Sequence, residues 1–366
     1  LAEVVKVFKR YHFHSLQSYT TIKNREAITV RSTEIYPIFM FDLKDWQKIY
    51  KPREVMASYR FMYAGAKPAE YIFGLDHAEK CYNEISAVPD GEEDEEEDFK
   101  KLKTPKKLNS ITIVSGGSDG LNLACIGQCF KVKGKTKETP EQLAENFYPI
   151  WLNSETALLN KGIFKRLCVI SKNVYNLPDI DATGKKQAHK LALQYLELRT
   201  IYLPEDLKAK QDSFRKKPMK DLRDYFKYYS PYDFFTLLRT AYPYRFWDAL
   251  PPTEKKDKWT YNVNNKHLYN FLSRNGFYRY ESESEKEGYF YIHIQGNIVR
   301  RIEPKKIRDF INEFIEREHP DVELMNTFLR TNQLNEASLS NLPFVQIDFT
   351  DFDKETQWIF YADAAA

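Results

Sequence analysis

Residues 174–190, Val-Tyr-Asn-Leu-Pro-Asp-Ile-Asp-Ala-Thr-Gly-Lys-Lys-Gln-Ala-His-Lys, constrain the fold more than any other stretch. A short apolar run, Val174 to Leu177, ends in two acids, Asp179 and Asp181, and Gly184 opens a segment with helical spacing. Strand residues two apart share a face, so both carboxylates project together from the strand's C-terminal end. Open α/β sheets place their ligands at that edge. Two adjacent carboxylates repel unless a cation lies between them. Mg²⁺ suits the position, because it takes one or two carboxylates together with phosphate oxygens. A solvated turn holding two acids is the competing reading, and the motif alone does not separate them.

The flanking sequence has a βα rhythm over residues 109–204. Strands are predicted at Ser110 to Val114, Tyr148 to Leu152, Val174 to Asp179 and Arg199 to Pro204. Helices are predicted from about Asp119 to Gly127, from Ser154-Glu155 to about Leu167, and from Lys185 to Glu197. Strands alternating with helices point to a mainly parallel sheet with helices on both faces.

Residues 1–87 mix short apolar runs with basic and aromatic residues. Ile35 to Asp42 and Glu70 to Gly74 read as strands. Between them Lys48, Lys51, Arg53, Arg60 and Lys67 interleave with Trp46, Tyr50, Tyr59, Phe61 and Tyr63. Basic side chains on a β platform suit phosphate contacts, and aromatic faces stack on unpaired bases. An ordinary sheet with a solvated edge fits the same residues equally well. An acidic run, Asp90 to Asp98, and the lysines from Lys100 to Lys107 then form an exposed loop. Residues 205–235 are basic again, with Lys208, Lys210, Arg215, Lys216, Lys217, Lys220 and Arg223 around Asp221 and Asp224.

Prolines 243, 251 and 252 with the charged cluster Glu254 to Lys258 mark a linker over residues 236–257. Beyond it the pattern predicts a helix at Lys266 to Arg274, a hairpin from Phe277 to Glu281 and Tyr289 to Ile294, and a helix at Pro304 to Arg317. That region, residues 258–366, is a small α+β module of the kind that makes interactions or contacts DNA.

A net charge of +3 over 366 residues gives no global basic field, so local patches carry any nucleic-acid binding. The four cysteines, at 81, 125, 129 and 168, suggest neither a zinc ribbon nor a disulfide framework, which points to a reducing cytoplasm. No apolar run reaches the ~18 residues of a membrane span, and no P-loop pattern is present. A chain that starts at Leu1 and ends in three alanines has the look of an excised piece.

In order and spacing these segments resemble the Toprim domain shared by DnaG-type primases, topoisomerases and some nucleases. The family pattern is a strand ending in Glu-Gly with an acid four residues after that Glu, a strand ending in D-x-D-x-x-G, and a further acid downstream. Here the pieces are Ile111-Thr-Ile-Val-Ser-Gly-Gly-Ser-Asp119, Asp179-Ile-Asp-Ala-Thr-Gly184 and Lys220-Asp-Leu-Arg-Asp224. Residues 1–108 look like the basic subdomain that precedes Toprim in primases, and the Toprim match covers 109–235. The tail resembles the segment joining primase to helicase in primase–helicases of phages and mobile elements.

The resemblance implies a DNA primase core that makes short primers on single-stranded DNA from nucleoside triphosphates with Mg²⁺ or Mn²⁺, in a bacterial or phage-infected cytoplasm beside a helicase. It implies Asp119, Asp179 and Asp181 as catalytic acids, and Asp179, Asp181 and Asp221 as metal ligands. Lys48, Lys51, Arg53, Arg60 and Lys67 would guide the template, while Lys185 and Lys186 at a helix start would meet nucleotide phosphate. The family's Glu falls at Ser115, which cannot replace a carboxylate; Glu155 is the candidate substitute acid, with an ordinary place in the first turn of a helix as its competing reading. Three alternatives follow: a weakened Toprim module that binds DNA and anchors a helicase, a Toprim nuclease, and a haloacid-dehalogenase-type phosphatase suggested by Asp-Ile-Asp-Ala-Thr. The last expects its motif on the first strand of the domain, not after an entire βαβα stretch.

Overall fold

The computed structural model of the chain describes residues 2–68, 70–87, 106–129, 147–153, 159–212, 216–253, 256–319, 321–330, 334–346 and 364–365. They fall into two compact units, residues 1–191 with 198–241, and residues 192–197 with 242–366.

The first unit opens with helix α1 (Ala2–Arg10), strand β1 (Phe13–Ser15) and the hairpin β2 (Ser18–Lys23) and β3 (Glu26–Arg31). The hairpin turns through Asn24 and Arg25, both at positive φ. Strands β4 (Phe39–Leu43), β5 (Trp46–Tyr50) and β6 (Phe61–Gly65) join β1 in an antiparallel sheet of order β1-β4-β5-β6. The expected strand from Ile35 begins only at Phe39; Ile35 is exposed, and a turn closed between Thr33 and Tyr36 precedes Pro37. The basic–aromatic region thus forms a sheet, together with two helices that the sequence reading omitted, α1 and α2 (Leu75–Ser86).

The second sheet has the order β11-β10-β8-β9-β7. Its members are β7 (Ile72–Phe73), β8 (Ile111–Val114), β9 (Pro149–Leu152), β10 (Val174–Leu177) and β11 (Arg199–Thr200). The last four pair in parallel, and β7 closes one edge antiparallel to β9. Every residue of the central strand β8 is buried, as a strand covered on both faces requires. Helices α3 (Gly117–Cys129), α4 (Lys161–Ile170) and α5 (Ala182–Gln194) connect these strands. The α/β expectation of a mainly parallel sheet with flanking helices holds. Helix α4 starts later than predicted, because Asn160 caps it by accepting from Gly162 N at 2.7 Å.

Helix α3 approaches β9 closely. A Cβ on Gly120 would lie 2.4 Å from the Trp151 ring, so only glycine fits. Trp151 is fully buried and stacks on Phe73 with ring centres 5.3 Å apart. One core runs from Val7, Phe13, Phe41 and Trp46 through Trp151, Leu177 and Ile201 to Leu222, Tyr225 and Phe234. The segments 1–108 and 109–235 of the sequence division therefore share a single hydrophobic interior. Two short helices, α6 (Leu222–Tyr225) and α7 (Pro231–Thr240), complete the unit.

In the second unit, β12 (Trp247–Leu250) pairs with β13 (Thr260–Val263). Helix α8 (Asn265–Arg274), the antiparallel strands β14 (Phe277–Glu281), β15 (Tyr289–Gln295) and β16 (Ile298–Ile302), and helix α9 (Pro304–Glu318) follow, close to their predicted limits. The stretch expected as a linker, residues 236–257, holds the division between the units, after Ala241, and also carries core residues. Tyr244, Phe246 and Trp247 are buried in this unit's core, and Pro251 and Pro252 lie just beyond β12. Among the described residues no helix is long and apolar enough to cross a membrane.

Candidate active site

Parallel pairing of β8 with β10 sets Val114 beside Leu177. Both chains leave the sheet at the same edge. Ser115 follows β8, and its hydroxyl faces the β10 exit, 3.5 Å from Leu177 O and accepting from Asp179 N at 3.1 Å. Asp119 lies in the first turn of α3. The 219–225 segment is drawn onto this edge by two backbone donors: Ile180 N gives to Lys220 O at 3.0 Å, and Arg223 N gives to Asp119 Oδ1 at 3.2 Å. A Cβ on Gly184 would lie 2.3 Å from Asp179 O, so glycine lets α5 start tight against the acid loop. All three motif pieces therefore meet in space.

The charges at this edge are ordered. Lys220 Nζ lies 2.7 Å from Asp179 Oδ2 and 2.6 Å from Asp181 Oδ2, bridging the acid pair. The other oxygen of Asp181 accepts from Gly184 N at 2.8 Å and caps α5. Burial alone would raise the Asp181 pKa, but the hydrogen bonds from Lys220 and Gly184 outweigh it and hold the carboxyl below its usual range. Burial would likewise lower the Lys220 pKa, and the two aspartates overcome it and raise the pKa well above the ordinary lysine value.

Asp221 caps α6 by accepting from Asp224 N at 2.8 Å and meets Arg223 Nη2 at 3.3 Å. Burial nonetheless lifts its pKa to about 6, with Arg223 opposing and Asp224 adding to the rise. Asp224 is held low despite its burial, by Lys227 at 2.8 Å and by Arg223 at 3.5 Å.

Asp119 differs from its neighbours. It is buried, and the hydrogen bond it accepts comes from a neutral backbone N–H, that of Arg223. Its pKa is raised well above the usual carboxylate value, first by burial and then by repulsion from Asp221 and Asp179.

Among the described residues, no three His, Cys, Asp or Glu side chains gather closely enough to hold a metal ion. The donor set still fits Mg²⁺. Two carboxylate oxygens already converge on one cation, the Lys220 ammonium. Mg²⁺ commonly uses one or two carboxylates and completes its shell with water and phosphate.

Of the residues expected at the site, Asp119, Asp179, Asp181 and Asp221 come together. Glu155 lies outside the described residues. Lys185 is ion-paired with Glu205, and Lys186 is exposed on α5. The template residues divide. Arg53 and Lys67 are exposed and Arg60 is half-buried, whereas Lys48 and Lys51 are buried. Strand alternation explains Lys48: it shares the core-facing side of β5 with Trp46, and β pairing sets it between Phe41 and Tyr63. Lys51 donates to Tyr19 Oη at 3.2 Å. The sequence reading missed the bridge made by Lys220 and the closure made by Arg223. Both were visible only as members of a basic stretch.

No protein-family model matches the chain, and no curated protein matches it. Among solved structures it is similar to the DnaG primase catalytic domain bound to ssDNA, with 12% identity, a TM-score of 0.45, and coverage of 90% of this chain and 86% of that one. It is also similar to the E. coli primase catalytic core, with 11% identity, a TM-score of 0.44, and coverage of 93% and 88%. A DNA primase domain from Pseudomonas aeruginosa gives 12% identity, a TM-score of 0.42, and coverage of 92% and 78%. Likeness at this level leaves function to the chemistry of the site.

Proposed function

We propose that the chain is a DNA primase core. It joins nucleoside triphosphates into short primers on single-stranded DNA, in phage or mobile-element replication beside a helicase. One observation carries the reading: Asp119, Asp179, Asp181 and Asp221 meet at the C-terminal edge of a parallel sheet, with a cation already bridging two of them. Asp179 and Asp181 are the residues to hold Mg²⁺ or Mn²⁺. When bound, the metal supplies charge neutralisation at the triphosphate and favours the attacking 3′ oxygen. The protein's own part is placement. Arg223 and Lys227 anchor Asp221 and Asp224, which fixes the loop carrying Lys220. Ser115 fixes the backbone at Asp179.

For the template, Arg53, Arg60 and Lys67 provide phosphate contacts, and the exposed rings of Tyr59, Phe61 and Tyr63 offer faces to unpaired bases. The test is primer synthesis on single-stranded DNA with Mg²⁺ or Mn²⁺ and labelled nucleotides. The parent chain yields short products, and Asp179→Asn with Asp181→Asn yields none. Equal synthesis by both proteins contradicts the reading.

A second reading has its own support. Ser115 stands where the resembled family has a carboxylate, and its hydroxyl is engaged with the backbone of the β10 exit. A module that binds single-stranded DNA and anchors a helicase without chemistry needs no more than this. Retained DNA binding with no primer product under either metal selects it.

A further inference from the structure

Lys220 is the feature of the acid cluster that the proposed chemistry does not use. Its ammonium touches one oxygen of each acid, at 2.7 and 2.6 Å. Both oxygens therefore already serve one cation, the ammonium. The position is built into the backbone. Lys220 O accepts from Ile180 N, between the two aspartates, and Lys220 N donates to Asp224 Oδ2 at 3.3 Å. Asp224 is tied in turn to Lys227 and Arg223. The lysine is pinned on both sides of its Cα while its side chain reaches across to the acid pair. That side chain is 42% exposed, so it has a route out to solvent.

We propose that Lys220 is a resident cation occupying the position between Asp179 and Asp181, and that a divalent metal enters by exchanging with it. The inference rests on the reading of Asp179 and Asp181 as metal ligands. The ammonium fills the position between the two oxygens, so a metal ion can take that position only when the ammonium moves aside, and repulsion between the like charges favours that move. The exchange gives the site a closed state in which the acids are neutralised and the loop is ordered without metal. It also leaves the released ammonium beside the filled site, tethered at Lys220, where it offers a donor to phosphate oxygens.

Calorimetric titration of the whole chain with Mn²⁺ alone tests the exchange. Lys220→Met keeps the stem length and removes the charge; Lys220→Arg keeps the charge. Lys220→Met is expected to bind Mn²⁺ about tenfold tighter or more than the parent, from loss of a competing unit charge. Lys220→Arg is expected to show no such gain. Acylation of Lys220 in the parent, followed by peptide mass spectrometry, is expected to quicken when Mn²⁺ is added.

Unchanged or weaker Mn²⁺ binding by Lys220→Met, with acylation of Lys220 unaffected by Mn²⁺ in the parent, overturns the exchange. The metal reading stands in that case if Asp179→Asn with Asp181→Asn still abolishes parent binding. If that double variant binds Mn²⁺ as the parent does, the ligand assignment itself fails and takes the exchange with it.

Discussion

Lys48 and Lys220 are the same side chain in opposite surroundings. Lys48 is 5% exposed on the core-facing side of β5, with the rings of Phe61, Phe73 and Tyr63 centred 4.6, 5.1 and 5.8 Å from its ammonium. Burial, helped by repulsion from Lys67, brings its pKa down to about 8. Lys220 is half-exposed and clamped by two carboxylates, so its pKa goes the other way. In the first region a lone charge is tolerated because aromatic faces attract it weakly. In the second, charge answers charge, and each partner holds the other in place. Removing Lys48's charge relieves the sheet; removing Lys220's partners undoes the site.

The largest effect is expected from Asp179→Asn with Asp181→Asn. At Mn²⁺ a hundredfold above its dissociation constant the parent gains about 2.7 kcal/mol, because the metal binds only the folded chain, and the double variant gains nothing. Thermal unfolding with and without Mn²⁺ measures both. Without metal the variant loses about 1 kcal/mol or less, since the lysine they release is half-exposed. Mutual repulsion of the two acids, read from sequence alone, favours a gain instead; Lys220 reverses that sign.

Lys48→Met should come next. A pKa of about 8 against the ordinary lysine value of 10.5 disfavours the charged form by about 3 kcal/mol. The ring faces return ~1 kcal/mol, leaving a stabilisation of about 2 kcal/mol at pH 7. The sign with pH is fixed. Between pH 8 and 10.5 the unfolded chain binds more protons at this lysine than the folded one, so the parent gains stability as pH rises across that window. The advantage of Lys48→Met is therefore full below pH 8 and fades toward pH 10.5. Denaturant titrations at pH 7 and pH 10 read the difference.

Asp119→Asn is expected to raise the unfolding midpoint, because burial and repulsion from Asp221 and Asp179 penalise the ionised carboxyl while an amide oxygen still accepts from Arg223 N. A lower unfolding midpoint would show that Asp119 has a cationic partner in solution. Ser115→Ala is the smallest change, a loss of roughly 0.5–1 kcal/mol for one hydrogen-bonded hydroxyl, again by denaturant titration.

The sequence carried the parallel sheet and its acids because each signal is local. Short, mainly apolar runs point to β8 and β10, and the offset of two between Asp179 and Asp181 puts both at a strand end. Helices α8 and α9 showed through their 3.6-residue spacing. What stayed hidden was long-range. Lys220 meets Asp181 across 39 residues and Arg223 N meets Asp119 across 104, and no periodicity reports such pairs. Lys48 was misplaced for a related reason. Its charge suggested the surface, while alternation with Trp46 and Tyr50 put it on the inner face, and the rings that accept it come from β6 and β7. The prolines of residues 236–257 point to a linker, although Tyr244, Phe246 and Trp247 in the same stretch are core residues.

The most direct test of the acid pair as a cation clamp is a crystal of the whole chain soaked in Mn²⁺ and measured for anomalous scattering. One peak is expected between Asp179 and Asp181, at coordination distance from both carboxylates, with the Lys220 side chain swung out of the position it now fills. An intact Lys220 bridge with no peak there, under Mn²⁺ that supports primer synthesis, contradicts it.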